Sequence, residues 1–161
     1  MIFSEFNIFP HYRQTFVSSY SQEEILEKIK EFTKEGLSYR ESAVSKHEFN
    51  GTVGEDSFQL SRIIHQPNAF LPLLKGKIAS TRTGSILFIT CEMFYTTKVL
   101  LALWSVIPLL FFIVNLFLTN GYFYAILALF FGLFNYIITV ANFHRQRKIS
   151  MEVLSKILES R

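Results

Sequence analysis

From Val99 to Phe143 the chain carries no Lys, Arg, Asp, Glu or His. Nothing else in the sequence limits the fold so strongly. A helix needs about 20 predominantly apolar residues to cross roughly 30 Å of hydrocarbon at about 1.5 Å per residue. Val99 to Leu118 supplies one such length and Tyr122 to Phe143 a second. Between them, Thr119, Asn120 and Gly121 form the only cluster with turn chemistry, since Asn and Gly tolerate positive φ. Helices of soluble proteins alternate apolar and polar faces, and these segments do not. The reading is therefore a two-helix transmembrane hairpin over 98–143, with spans at 99–118 and 122–143 and a turn at 119–121.

The flanks set its orientation. Lys98 precedes the first span, and Arg145, Arg147 and Lys148 follow the second, while the turn is uncharged. Positive residues favour the cytoplasmic side, so both termini are expected there, with those four basic residues at the membrane surface. The start, "MIFSEFNIFPHYR", has no basic region followed by an apolar run, so no cleaved signal peptide is expected. A lone cysteine, Cys91, excludes an internal disulfide and fits a reducing compartment.

Within the hairpin, Pro108 is expected to kink the first span, and Asn115, Asn135, Asn142 and Ser105 to bond between helices. Ala125, Ala128 and Gly132 form a small-residue face suited to close helix contact. No charge marks an ion or proton path there.

Residues 1–97 read as a compact α+β domain. Alternation from Tyr12 to Tyr20 suits a first strand. In "SYSQEEILEKIKEFTKEG", Ser21 and Glu24 have capping-box spacing, Ile25, Leu26, Ile29 and Phe32 make one stripe, and Gly36 offers a stop. The charged side of this helix, including Glu23, Glu27 and Lys30, reads as a solvated face. Further strands are expected near 38–45, 47–54, 57–64, 73–80 and 85–95, forming a mostly antiparallel sheet. Both faces of the last strand carry apolar residues, Leu87, Ile89, Cys91 and Met93 against Ile86, Phe88 and Phe94, which suggests cover on two sides. Residues 144–161 form an amphipathic helix through Ile149, Val153, Leu154, Ile157 and Leu158. It either lies in the lipid interface or folds back as the closing helix of the sheet, and an open sheet's need for an apolar cover favours the second.

The segments "FNGTV", "FQLSRII", "NAFLPLLKGKI" and "GSILF", followed by a hydrophobic hairpin and a short helix, resemble small two-span bacterial membrane proteins of uncharacterised function. The resemblance implies a layout in the bacterial inner membrane and no activity, cofactor or catalytic residue.

The chemistry expected of an enzyme is thin. There are twelve Glu but one Asp, Asp56, so Asp-centred triads and magnesium sites are hard to build. Glu92 draws interest because desolvation beside the membrane would raise its pKa, although such a residue more often sits at a sheet edge or pairs with a neighbouring Lys or Arg. His11, His47, His65 and His144 lack zinc-ligand spacing, and Cys91 with His65 is a weak nucleophile pair, a strand thiol among Ile, Leu and Met being usually packing. The glycines of "NGTVGEDS" and "KGKIAST" do not make a phosphate loop. Lys75, Lys77 and Arg82 are too sparse, at a net charge of +3, for nucleic acid. No catalytic, metal or cofactor site is expected. The partners are the bilayer and other membrane proteins or a second copy, and the role is an accessory or scaffolding one in a membrane complex. The alternative is a membrane-anchored domain that encloses a lipid or other small apolar ligand.

Overall fold

The computed structural model describes residues 9–36, 47–64, 66, 68–118 and 121–159. The strand expected near 38–45, His65, Thr119 and Asn120 lie outside them. The architecture is α+β. Six strands, β1 (His11–Ser18), β2 (Thr33–Lys34), β3 (Phe49–Val53), β4 (Ser57–Arg62), β5 (Pro72–Thr81) and β6 (Gly84–Met93), form one sheet in the order β1-β6-β5-β4-β3-β2. Among the described residues three helices accompany it: α1 (Gln22–Glu31), α2 (Tyr95–Phe117) and α3 (Tyr122–Glu159).

Strands β3 to β6 make an antiparallel meander, and β1 returns to pair with β6. The turn between β5 and β6 needs Gly84, whose φ is +148° and whose added Cβ would meet the Ser18 carbonyl oxygen at 2.1 Å. The β2 strand pairs parallel to β3 and was not expected. It explains why α1 stops at Glu31 and does not continue to Gly36. The Phe32 carbonyl accepts from both Glu48 and Phe49 amides at 3.1 Å, which draws the chain out of the helix and into the sheet. The start of α1 matches its sequence signature. Ser21 Oγ accepts the Glu24 amide at 3.2 Å, and Glu24 Oε2 accepts the Ser21 amide at 2.7 Å, an arrangement that contributes about 1 kcal/mol. That backbone hydrogen bond from Ser21 holds the Glu24 carboxyl below its ordinary pKa.

Register decides which residues meet. Opposite partners share a face, so Tyr12, Gln14, Phe16 and Ser18 of β1 lie with Cys91, Ile89, Leu87 and Ser85 of β6, and these with Leu74, Gly76, Ile78 and Ser80 of β5. This inner face is buried against α1, through Ile25, Leu26 and Ile29, and against the end of α3, through Met151, Leu154 and Ile157. Burying each of the larger aliphatic groups contributes about 1.5–3 kcal/mol. The Phe58 ring lies so close over Gly76 that a Cβ there would overlap it. The cover is thus one-sided. On the other face of β6, Phe88 is 49% exposed, which corrects the expectation of a strand covered on two sides.

The segment expected as a separate helix over 144–161 is instead the end of one helix that starts at Tyr122, about 57 Å long at 1.5 Å per residue. A change from apolar to charged side chains alters which solvent a helix prefers but not its backbone propensity, so the helix has no reason to break at Phe143. Similarly α2 begins at Tyr95, directly after β6, and runs through Pro108 as a single helix. Leu101 and Phe143, at the base of the α2–α3 hairpin, belong to the same core as the strands. Thr97 Oγ1 donates to the Ala69 carbonyl at 2.7 Å and Arg62 donates to Gln146 Oε1 at 2.9 Å, so α2 is tied to the β4–β5 connection and α3 to the end of β4.

Both long helices are apolar enough and long enough to cross a membrane, and only 17% and 11% of their most apolar windows are buried.

Candidate functional site

The inner face holds the thiol and the outer face holds the carboxylate. Cys91 and Glu92 are neighbours in β6, and the two-residue period of a strand sends them to opposite sides. Cys91 is fully buried, with Sγ 3.5 Å from Met151 Sδ. Burial pushes its thiol up to about 11, against a small opposing pull from Arg147. It is therefore neutral and unreactive near neutral pH. Glu92 cannot share a pocket with it.

On the outer face, at the end of the sheet where α2 begins, Glu92 Oε2 lies 3.3 Å from Lys75 Nζ and 3.4 Å from Lys98 Nζ. Partial burial pushes this carboxyl upward, but the hydrogen bonds and charges of the two lysines outweigh it, and its pKa lies below the ordinary value. Of the two sequence readings, a carboxyl raised by desolvation or one paired with a neighbouring Lys or Arg, the structure has the pair. An ion pair that draws its strength from two cations leaves Glu92 a fixed anion, poorly suited to proton transfer at neutral pH.

The ladder places two rows of side chains beside it. One row runs Arg13, Thr90, Lys75, and the next runs His11, Glu92, Leu73. Together with Lys98, Phe9 and Pro10, part of this group lines a cavity of about 200 Å³. Arg13 and His11 are exposed on the outer face. Arg13 draws no attention in the sequence, and His11 enters there only as a candidate zinc ligand. Their odd numbers in β1 and the even numbers of Thr90 and Glu92 in β6 put them on one face only once the antiparallel register is known.

The basic residues expected at the membrane surface divide into two kinds. Lys98 is engaged by Glu92, and the Arg147 guanidinium lies 3.9 Å from the centre of the Tyr12 ring. Arg145 and Lys148 are exposed on α3.

In the hairpin, Ala125 and Ala128 are buried between α2 and α3, and a Cβ on Gly132 would lie 3.2 Å from Pro108 Cβ. Small residues thus stand where the helices approach closest. Asn115 Nδ2 donates to the Phe111 carbonyl at 2.8 Å, Asn142 Nδ2 to the Ile138 carbonyl at 3.0 Å, and Ser105 Oγ to the Leu101 carbonyl at 2.8 Å. These bonds run one turn back along the same helix and not across the pair, a local alternative open to short polar side chains. Asn135 is half-buried. Two apolar grooves of about 480 and 410 Å³ flank the Pro108 contact, the first bordered by Trp104, Phe111 and Phe131, the second by Leu109, Leu133 and Tyr136.

Among the described residues no group of three or more His, Cys, Asp or Glu side chains is arranged to hold a metal ion. No protein-family model matches the chain, and no curated protein or solved structure is significantly similar to it.

Proposed function

We propose that the protein is a two-span integral protein of the bacterial inner membrane, with both ends in the cytoplasm, and that it serves as an accessory or scaffolding subunit for other membrane proteins. The observation that carries the reading is the outward placement of apolar side chains along both long helices, including Phe123, Ile126 and Phe130 at 67–73% exposure. A helix pair buried in a soluble protein would hide them. Lipid provides a solvent in which they cost nothing.

The interaction role draws support from the outer sheet face. Val17, 83% exposed, stands opposite Ile86, and Phe88 lies beside them, so an apolar patch is presented on the open sheet face, toward the end of β6 away from α2. Enclosure of an apolar ligand beneath the sheet is disfavoured by the filled inner face, where Phe58, Leu60, Leu74, Leu87 and Leu154 are all at most 2% exposed. The test has two stages. Alkaline carbonate should leave the full chain in the membrane fraction, and tags on both termini should be shielded in intact cells. Gentle detergent extraction at native abundance should then bring a membrane partner with it. A lone monomer at that stage sinks the accessory role, and an externally labelled terminus sinks the topology.

A further inference from the structure

We infer that the cavity between β1, β6 and the first turn of α2 binds the phosphate of an anionic phospholipid headgroup. This inference rests on the reading of α2 and α3 as membrane spans. Arg13, Lys98 and the carboxylate of Glu92 line the cavity, and Lys75, opposite Thr90 on the next strand, shares that carboxylate with Lys98. The Arg13 side chain has no hydrogen-bond or ion-pair partner among the described residues, and its planar guanidinium can grip two phosphate oxygens at once. Thr90, directly opposite Arg13 in the ladder, adds a hydroxyl donor, and exposed His11 stands next to it on the same face. The net charge of the group favours an anion. The cavity of about 200 Å³ admits a phosphate group and excludes a whole lipid.

Its position selects the lipid over a soluble anion. Lys98 is the last charged residue before the apolar tract, so the cavity opens where hydrocarbon ends. The headgroup layer is about 5–7 Å deep on each side of the bilayer. A phospholipid beside α2 brings its phosphate to that depth while its chains remain in the hydrocarbon. Glu92, 3.3 Å from Lys75 and 3.4 Å from Lys98, offsets only part of the positive charge, so the group remains net positive and removal of the carboxylate charge makes it more so.

The full-length protein in mild detergent, offered equal amounts of phosphatidylglycerol and phosphatidylcholine, should retain one phosphatidylglycerol in native mass spectrometry. Arg13→Gln should weaken that retention about tenfold, and Arg13→Lys should restore part of it. Since Arg13 lies on the open face, neither variant disturbs the core. A paired Arg145→Gln and Lys148→Gln variant should bind as the parent does, whereas an equal loss there would show diffuse surface attraction and overturn the site. Glu92→Gln should retain the lipid at least as well, and a loss would make the carboxylate itself the ligand group, against the inference. Displacement by inorganic phosphate at matched concentration would mark a soluble-anion site and overturn it too. A wild-type chain that remains in water without detergent removes the membrane reading itself. One that enters bilayers without lipid preference removes only the headgroup site.

Discussion

The two halves of α3 follow opposite rules within one unbroken helix. From Tyr122 to about Phe143 the small residues Ala125, Ala128 and Gly132 point inward, and Phe123, Ile126 and Phe130 point outward. From His144 to Glu159 the large residues Met151, Leu154 and Ile157 point inward, and Lys148, Glu152 and Lys156 point outward. In the second half the inward side chains leave water, so size inside is rewarded. In the first half, on the membrane reading proposed above, lipid outside would be as apolar as a protein interior, and close backbone approach is rewarded instead. The outward residues therefore report the solvent, and the inward residues report what holds the partners together.

Truncation should separate the halves most sharply. Leu154→Ala removes a fully buried side chain from the sheet cover and should destabilise the domain by about 2–5 kcal/mol, while Phe130→Ala, on the exposed outward face of α3, should leave the same unfolding transition nearly unmoved. Equal effects in denaturant melts of the full chain in detergent would break the comparison.

Charge should separate them in the other direction. Phe130→Asp should raise the cost of membrane insertion by about 2.5–3.5 kcal/mol, read as the ratio of inserted to non-inserted chains. Lys156→Glu, on the watery half, should change insertion little. If Phe130→Asp proves harmless, the outward face of the first half is not in lipid.

A smaller effect is expected where the helices touch. Gly132→Leu forces a branched side chain against Pro108 and should weaken hairpin packing by about 1–3 kcal/mol, seen as wider spacing between spin labels on α2 and α3. Gly132→Ala, whose Cβ would stand 3.2 Å from Pro108 Cβ, should be much milder.

The least energetic test concerns the polar group at the junction. Glu92→Gln should cost less than about 1 kcal/mol near neutral pH, as partly solvated ion pairs do. The folded-state pKa of Glu92 is depressed, so its contribution is complete above the ordinary carboxylate value and is lost as pH falls below it through the folded value. Acid titrations of stability should therefore show a shallower loss in the variant than in the parent over that window, and identical slopes would remove the role given to Lys75 and Lys98.

Local chemistry carried much of the fold into view before any tertiary contact was known. The Ser21–Glu24 cap needs only residues three apart, and strands β3 to β6 announce themselves by alternation between turn residues. The two-residue β2 was invisible, because a segment that short has no period and exists only through its pairing with Phe49 and Asn50. The junction group was hidden for a related reason. Arg13, Lys75, Thr90, Glu92 and Lys98 come from four elements, and no spacing along the chain brings them together.

By itself the sequence determined where water is avoided: an uncharged tract, its midpoint turn chemistry, and an amphipathic end that asks for an apolar surface. Only the tertiary structure decided that the tract's second helix continues into that amphipathic end, that the sheet is covered on one side, and that Glu92 is an anion held by two lysines. The physical reason is range. Solvent preference and capping depend on a residue and its near neighbours, whereas register, shared faces and ion pairs depend on which distant segments fold against each other.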